Sequence, residues 1–576
     1  MRHSIRLLFA YILLFTFSSC SLVGIHLQVK NPKHPGSYPH FSKTIKLLGD
    51  QNTKYRNSYD VTFYNLNITV DQKNKYLKGV VEMRAIALTN LDTIQIDLFE
   101  NMIVKSISYA TLMSHTETGT GLITANFTRN HGAIFIPIKQ KENEIFKIRI
   151  EYEGKPVIAP KPPWKGGFVW KKDKEGNPWI GVTCETEGAS LWWPCKDVTN
   201  DEPDSAAINI TVSGDLTAVS NGKFLGKETN GDKTTFKWYV SNPINLYNVT
   251  IYVGKFALIE DSLKSAESGK VLSINHYVLP ANLEKAKKHL AQAKEQIAFY
   301  EKIFGEYPWY SDGYKLVESP YEGMEHQSAI AYGNGYKNSY NGFDYIILHE
   351  SAHEWWGNSI SASDLSDVWL HEGFATYAEA LFVEKTQGEN AYLRYLLMYR
   401  MFIKNKRPVV GPVGARFFDY KDSDVYMKGA WILHTLRTVI ADDKIFFDIL
   451  KSFRVENNGK TVSSLDFIKM VNEKSGRNLN WFFSQYLNKR EVPFLEFYWD
   501  GTDFYYKWKQ VDSTFIMQSE IILDGLVRIL LKPTANVQKL SVSNKTYSEI
   551  AFNNYTQLFG TKENKRLVKE FGTNQK

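Results

Sequence analysis

The chain has 576 residues, of which 43% are hydrophobic and 23% charged. This composition is typical of a globular protein with several domains and excludes a disordered or collagen-like chain. The formal net charge of +7, from 69 basic and 62 acidic residues, is small for this length and no dense Lys/Arg tract occurs, so we expect no nucleic-acid partner.

Residues 1–19 have the pattern of a signal peptide. A basic start is followed by an apolar run from Leu7 to Phe17, which is too short to span a bilayer. Two serines and then Cys20 follow, and this resembles a bacterial lipoprotein cleavage site. We therefore expect export to the periplasmic side of a bacterial membrane, with a lipid anchor at Cys20. The alternative is an ordinary signal peptide that is cut nearby and a secreted product.

Residues 20–54 are polar with little periodicity, which predicts a tether. From Tyr59 onward, apolar and polar residues alternate, and turn residues separate the alternating runs. This pattern predicts strands and an N-terminal β domain over 55–262. The Pro/Gly-rich stretch 155–167 within it predicts a loop.

At Ala281 the apolar period becomes helical and stays so up to Phe304, where Gly305 and Pro308 end the pattern. Helical patterns continue to about Leu487 and predict an α-rich domain over 263–490. Strand-like patterns then return and predict a small β domain over 491–576. The predicted fold class is therefore multidomain α+β.

The motif His349-Glu350-x-x-His353 is the strongest chemical signal in the chain. On a helix, the two imidazoles four residues apart lie on one face and can share one metal ion. Glu372 follows after a gap of 18 residues, in the first turn of a helix predicted over Leu370–Lys385. Three protein ligands leave an open position, as catalytic zinc requires, so we expect one Zn²⁺ per chain. Glu350 lies beside the metal-binding face, where it can act as a general base.

The stretches Leu348–Asn358 and Asp367–Tyr377 resemble the two zinc segments of the gluzincin aminopeptidases, the enzymes of the aminopeptidase N and leukotriene hydrolase type. The resemblance runs from about residue 58 to about residue 495. It implies a saddle-like N-terminal β domain, a thermolysin-like catalytic domain and a small C-terminal β-sandwich-like domain. The large helical domain usual at the C-terminus of the family has no counterpart here, so we expect a more open site.

The segment from Glu322 to His326 resembles the G-x-M-E-N segment of this family, with Glu322 in place of the Gly and His326 in place of the Asn. The resemblance implies that Glu325 binds the free α-ammonium of the substrate and that Gly323 and Met324 belong to the substrate-binding site. Carboxylates in a partly desolvated pocket suit an ammonium group. His326 is either a substrate contact or a packed side chain.

Two further segments carry resemblances to the family. The stretch from Cys184 to Asp197 places Glu185 on a second amine-binding position, although Ser190 stands where an Arg is common. Val425–Ala430 resembles the Y-x-K-G segment and implies that Tyr426 donates to the oxyanion of the tetrahedral intermediate. A phenol suits this role because its pKa of about 10 keeps it protonated at neutral pH.

Two assignments stay open at this point. Cys184 and Cys195 could form a disulfide in an oxidising compartment, or they could be two buried thiols. Asp367 is a candidate to orient one of the histidine ligands through a hydrogen bond, since metal sites usually need such support.

The predicted function is a zinc-dependent aminopeptidase that acts on peptides with a free N-terminus, with Glu350 as general base and Tyr426 as oxyanion stabiliser. A zinc endopeptidase would use the same metal ligands without carboxylates for the amine. An inactive peptide-binding lipoprotein is the alternative from another class. A membrane is the second expected partner, through the lipid anchor.

Overall fold

The computed structural model describes residues 51–113, 121–185, 187–414, 424–541 and 549–574. The predicted signal peptide over 1–19, the lipidation site Cys20 and most of the predicted tether lie outside these residues. Among the described helices, none combines the length and the apolar character needed to cross a membrane.

The end of the predicted tether is packed rather than free. Gln51 is buried, and its amide nitrogen donates to Asp364 Oδ2 at 2.9 Å. Its amide oxygen accepts from Thr199 Oγ1 at 2.9 Å. The tether prediction over 20–54 is therefore wrong for its last residues, because one polar side chain satisfies groups on two different domains.

The N-terminal domain consists of β-sheets, as the alternation predicts. Leu66, Ile68 and Val70 are buried at period two along the first strand, which gives the sheet one core face. One sheet has the order β13-β14-β11-β1-β2-β8-β4-β5, and two smaller ones have the orders β12-β15-β10-β9 and β3-β7-β6. The strands are β1 Tyr59–Asp71, β2 Tyr76–Ala87, β3 Leu91–Asp97, β4 Met102–Leu112, β5 Ile123–Thr124, β6 Thr128–Asn130, β7 Ala133–Gln140, β8 Ile145–Gly154, β9 Gly167–Lys172, β10 Pro178–Thr183, β11 Ser205–Ser213, β12 Thr217–Ser220, β13 Lys223–Asn230, β14 Lys233–Val240 and β15 Ile251–Gly254.

The catalytic domain begins with a five-stranded sheet of order β16-β17-β18-β20-β19. Its strands are β16 Ala257–Lys264, β17 Val271–Val278, β18 Leu316–Glu318, β19 Gly323–Met324 and β20 Ile330–Tyr332. The predicted boundary between residues 262 and 263 falls inside β16, which pairs along its whole length with β17. The boundary therefore lies before Ala257, because strand pairing rather than local pattern decides which domain a strand joins.

Helices form the rest of this domain. They are α1 Leu283–Leu290, α2 Gln292–Phe304, α3 Tyr345–Ala352, α4 Trp369–Gln387, α5 Glu389–Arg400, α6 Asp424–Ile440, α7 Asp443–Glu456, α8 Ser464–Ser475 and α9 Asn480–Asn488, with the short pair β21 Ile360–Ala362 and β22 Lys460–Val462. The helix predicted from Ala281 to Phe304 is interrupted at Ala291, so that it forms α1 and α2.

Helix α4 lies at the centre of the domain. All its residues from Trp369 to Val383 are buried, as expected for a helix that neighbours surround on every side. It meets α6 at Gly373 and Gly429, where a Cβ atom built on Gly373 would lie 2.9 Å from the Gly429 Cα atom. The two backbones can approach this closely only because neither residue has a side chain.

The C-terminal domain has two small sheets, with the orders β27-β24-β23-β29 and β26-β25-β28. Their apolar side chains, such as Trp508, Ile521 and Leu531, belong to the same buried cluster as the helices of the catalytic domain. The elements are β23 Phe494–Trp499, β24 Asp503–Lys509, β25 Ser519–Leu523, β26 Val527–Leu531, β27 Gln538–Ser541, β28 Ile550–Phe552, β29 Gly560–Glu563 and α10 Leu567–Asn574. This domain is thus packed onto the catalytic domain rather than held apart from it.

The Gly373–Gly429 contact can be tested by adding one methyl group. We expect Gly429→Ala to lower the free energy of unfolding by about 1–3 kcal/mol, because the new Cβ would lie 2.8 Å from the Gly373 Cα atom. Gly572→Ala is the matched control, since it lies in a helix with nothing within 4 Å of the added Cβ and alanine favours helix. Urea denaturation of both variants measures the difference. If Gly429→Ala and Gly572→Ala unfold at the same urea concentration, α4 and α6 have room to move apart and the prediction is wrong.

Candidate active site

Helix α3 presents the His-Glu-x-x-His motif to the centre of the catalytic domain. Asp344 caps its N-terminus, and the Asp344 side chain accepts from the Ile346 backbone N–H at 3.0 Å. His349 and Glu350 lie within the helix, and His353 follows as its C-cap in helical conformation. Glu372 enters from the first turn of α4. The predicted ligands therefore come from two neighbouring helices.

The three ligand atoms form a compact triangle. His349 Nε2 lies 3.2 Å from His353 Nε2, and these two atoms lie 3.4 and 3.5 Å from Glu372 Oε2. Ligands at about 2.0–2.1 Å from a tetrahedral Zn²⁺ are about 3.3–3.4 Å apart, so the triangle has the dimensions of a zinc site.

The other ring nitrogen of each histidine is engaged in a hydrogen bond. His349 Nδ1 lies 2.7 Å from Glu379 Oε1, and His353 Nδ1 lies 2.9 Å from the Trp356 carbonyl oxygen. Both partners are acceptors, so each Nδ1 carries the proton and each Nε2 offers a lone pair.

This arrangement fits a metal cation. Two Nε2 lone pairs and a carboxylate oxygen face one another in a buried place, which is repulsive unless a cation lies between them. Glu372 Oε2 is buried and has no hydrogen-bond partner among the described residues. Two imidazoles and one carboxylate are a usual ligand set for catalytic zinc.

The suggested role of Asp367 is wrong. Its carboxylate accepts a hydrogen bond from Ser464, at the start of α8, and makes no hydrogen bond to a ligand histidine. Glu379 orients His349 instead. Sequence reasoning missed Glu379, although a signal exists: Glu379 lies seven residues, or two helical turns, after Glu372 and so on the same face of α4.

Glu350 lies between the metal ligands and strand β19. Its carboxylate, that of Glu325 and a ring nitrogen of His353 all lie within 4.8 Å of one another. A Cβ atom at Gly323 would lie 2.5 Å from Glu350 Oε1, so the carboxylate occupies space that only glycine leaves open. Burial raises the pKa of Glu350 to about 8.

Glu325 closes the site on the other side of Glu350. It is only 4% exposed, and its Oε1 accepts from the Tyr247 hydroxyl at 3.1 Å. Glu185, which follows β10, is half-buried and lines a small cavity together with Tyr247. Tyr247, a residue that sequence reasoning did not identify, therefore contacts Glu325 and lines the same small cavity as Glu185.

Tyr426 reaches the site from the first turn of α6. Its ring stacks against His349 with the ring centroids 6.1 Å apart. Burial and the negative charges of Glu372 and Glu185 raise the pKa of Tyr426 well above its usual value. The phenol is therefore held protonated beside the metal ligands, as a hydrogen-bond donor to an oxyanion must be.

The other residues that the sequence singles out, Met324, His326 and the two cysteines, are buried. Met324 is buried, and its sulfur accepts from Thr183 Oγ1 at 3.5 Å, which ties β19 to the N-terminal domain. His326 is fully buried with Nδ1 at 2.6 Å from the Tyr252 hydroxyl, which favours the packed alternative over a substrate contact. Cys184 and Cys195 are buried free thiols, so the disulfide alternative is not the one that the structure has.

Family models match both large domains of this chain. The model described as the Peptidase M1 N-terminal domain matches residues 60–247, and the Peptidase family M1 domain matches residues 289–486. Together they cover more than half of the sequence. The chain belongs to peptidase family M1.

The curated proteins that match this chain carry different names. A leucyl aminopeptidase of Saccharolobus solfataricus is 23% identical, over 60% of this chain and 45% of its own length. Subunit 2 of transcription initiation factor TFIID of Drosophila melanogaster is 27% identical, over 37% of this chain and 17% of its own length. The chain spans about half the length, or less, of these curated relatives.

A solved structure shares the fold over most of the chain. The M1 zinc metallopeptidase from Deinococcus radiodurans superposes with a TM-score of 0.65 at 21% identity. The match covers 77% of this chain and 97% of that one. The multidomain α+β architecture, with a β-rich first domain and a helical catalytic domain, is thereby confirmed.

The metal site makes a prediction that is independent of any activity. We expect the purified protein to hold one zinc ion, and His353→Ala to lose it because the triangle of donors is broken. Glu350→Gln should keep the metal, since Glu350 is not among the three converging ligands. Elemental analysis after dialysis against a weak chelator measures the zinc content of each protein.

Loss of zinc in Glu350→Gln would contradict this assignment. It would indicate that the ion lies instead among Glu325, Glu350 and His353, whose ligand atoms are also within 4.8 Å of one another.

Proposed function

We propose that this protein is a zinc-dependent aminopeptidase that removes N-terminal residues from peptides. The observation that carries the proposal is the buried carboxylate of Glu325, which lies within 4.8 Å of Glu350 and His353. A peptide bound at the metal site would have the Glu325 carboxylate beside the bond that Glu350 acts on. Its free α-ammonium group is the part best suited to that position.

Electrostatics favours an ammonium at this position. The carboxylates of Glu325 and Glu350 lie at short range in a buried place, so ionising both costs free energy unless a cation offsets it. An α-ammonium with three donors can bind Glu325 and also reach Glu185, whose charge is felt at Tyr247 and Tyr426. An acetylated N-terminus has neither the charge nor the donors.

A zinc ion held by His349, His353 and Glu372 would act as a Lewis acid toward the substrate carbonyl and would activate water at neutral pH. Glu350 takes the proton from the attacking water and returns it to the nitrogen of the leaving peptide. Gly323 keeps the space open in which the Glu350 carboxylate can do this.

Tyr426 and Glu325 fix the substrate between them. The Tyr426 hydroxyl donates to the oxygen on which negative charge develops, and the stacking on His349 keeps that hydroxyl on the ligand side of the site. Glu325 holds the ammonium group of the same first residue whose carbonyl is attacked. Together they place the first peptide bond beside Glu350, which is the geometry of an exopeptidase.

The names of the relatives support the proposal without deciding it. This chain is similar in sequence both to a leucyl aminopeptidase and to a transcription factor subunit, so similarity alone does not establish catalysis. The structure of a mutant of the Deinococcus radiodurans M1 zinc metallopeptidase contains a bound Tyr-Ser-Ala substrate. In the present chain the ligands, Glu350, Tyr426 and Glu325 are all present and converge, which supports an active enzyme.

The decisive experiment compares free aminoacyl-anilides with their N-acetylated partners, using residues 21–576. We expect chelator-sensitive cleavage of the free amines only. Glu350→Gln should lower kcat by about 10²–10⁴-fold while zinc stays bound, because general base catalysis contributes about that much. Glu325→Gln should remove most of the preference for the free amine.

Each other outcome favours a different function. Cleavage of N-acetylated substrates or of internal peptide bonds would favour a zinc endopeptidase. Glu325 and Glu185 would then not select substrates with a free amine. Binding of peptides without turnover, in a zinc-loaded protein, would favour an inactive peptide-binding protein.

We propose further that the enzyme is exported and held at the periplasmic side of a bacterial membrane by a lipid on Cys20. The support is the basic start, the apolar run and the small residues before Cys20. A lipid of this kind anchors a chain through its N-terminus. Secretion after cleavage at a nearby site is the alternative.

Cell fractionation tests the anchor. In a bacterial host, the full chain should sediment with membranes and dissolve in detergent, whereas Cys20→Ser should not be lipidated. We expect the variant to be recovered either as a soluble exported protein or as uncleaved precursor of higher mass. Recovery of the full chain as a soluble, processed protein identical to the variant would favour ordinary secretion.

A further inference from the structure

Behind the ligand His349 lies a second, buried layer of hydrogen bonds that the proposed reaction does not use directly. Glu379 accepts from His349 Nδ1 through one carboxylate oxygen, at 2.7 Å. Its other oxygen accepts from the Tyr399 hydroxyl at 2.7 Å and from the Tyr395 hydroxyl. The two hydroxyls are themselves 2.8 Å apart.

Both tyrosines lie on one face of α5, four residues apart, and both are buried. Burial raises the pKa of each phenol well above its usual value, so both remain donors. Glu379 is only 2% exposed, and a buried carboxylate is held in one orientation when donors reach both of its oxygens. The tyrosine pair supplies them on the side away from the metal.

The position of this pair depends on how α5 is held. The last residue of α5, Arg400, donates to the carbonyl oxygens of Asn554 and Phe559 in the C-terminal domain. The Arg400 guanidinium also stacks on Trp431 of α6, 5.1 Å from the ring centroid. Arg400 directly follows Tyr399 in the chain, so the domain contact acts on the turn that carries a donor.

The same C-terminal segment contacts the helices on either side. The Leu558 backbone N–H donates to Thr435 Oγ1 of α6 at 3.0 Å, and the Leu558 carbonyl accepts from the Tyr486 hydroxyl of α9 at 2.7 Å. The segment from Asn554 to Phe559 therefore joins α5, α6 and α9 at one place.

We propose that Tyr395 and Tyr399 are positioning residues for the metal centre, and that the C-terminal domain, which supplies no ligand, holds them in place through Arg400. Their hydroxyls fix the Glu379 carboxylate, which in turn fixes the tautomer and the ring orientation of His349. Zinc affinity then depends on residues that do not contact the ion or its ligands, namely the two tyrosines and, through Arg400, the C-terminal domain. This proposal rests on the zinc site of the proposed function.

Tyr395→Phe/Tyr399→Phe removes both donors and keeps the rings. A direct partner of a metal-ligating histidine typically contributes 10–100-fold to metal affinity, and the tyrosines act one hydrogen bond further out, so we expect the zinc dissociation constant of the double variant to rise by about tenfold. The measurement is competition between metal-free full chain and a chromophoric chelator for Zn²⁺. In the Co²⁺-loaded protein, the visible absorption bands should also change, because the His349 ring is less well held.

Tyr392→Phe is the matched control on the same helix. Tyr392 is buried, and its hydroxyl contacts the Tyr377 hydroxyl at 2.9 Å and His434 Nδ1 at 2.7 Å rather than Glu379. It should lower stability to a similar extent and leave zinc affinity within about twofold. Arg400→Met, which keeps an unbranched side chain but removes both the donors and the guanidinium that stacks on Trp431, should weaken zinc binding in the same direction as the double variant.

Several results would overturn the proposal. A double variant whose zinc affinity and Co²⁺ spectrum match those of Tyr392→Phe would remove the role of the tyrosine pair. If the double variant does not fold, Tyr399→Phe alone carries the same comparison. An Arg400→Met protein with unchanged zinc affinity would remove the role of the C-terminal domain.

The failure of the proposed function can be distinguished from these results. Wild-type protein that binds zinc but cleaves no peptide would refute the aminopeptidase and leave the comparison of metal affinities intact. Wild-type protein that binds no zinc would refute both.

Discussion

The hydrogen bond between Glu379 and His349 is the constraint on which the site depends. It fixes the proton on Nδ1 and turns the Nε2 lone pair toward those of His353 and Glu372. Without it, the imidazole could present an N–H group to the same place and the donor triangle would not exist. The chain meets this requirement with a carboxylate two turns further along the helix that carries the third ligand.

Glycines at two places where backbones or side chains pack closely give the site residues their places. Gly373 and Gly429 let α4 and α6 touch, so Glu372 and Tyr426 are carried by two backbones in direct contact. Gly323 leaves room for Glu350 in the same manner. At each of these positions the smallest residue lies next to a residue of the site, because a methyl group there would displace a group that must be placed accurately.

The sequence predicts the parts of this site that are local. His349, Glu350 and His353 are recognisable because helical spacing alone brings them together. Glu372 is recognisable because it lies in the first turn of the next helix, at a spacing that returns the chain to the two histidines. The sequence does not predict the role of Glu379, because its partner His349 lies on another helix. The prediction that Asp367 orients a histidine ligand is wrong, because closeness to Glu372 in the sequence does not bring Asp367 to either histidine. The predicted domain boundary is wrong for a similar reason. The alternating pattern of β16 predicts a strand, but it does not tell which sheet that strand joins.

The attachment of Gln51 has a mechanical consequence. Its side chain bonds to Thr199 of the N-terminal domain and to Asp364 of the catalytic domain, and it lines the same small cavity as Glu185 and Tyr247. A force applied to the chain at Gln51 is therefore transmitted to both domains rather than to either domain alone. Tension there would act on the contact between the two domains, beside the small cavity that Glu185 and Tyr247 line.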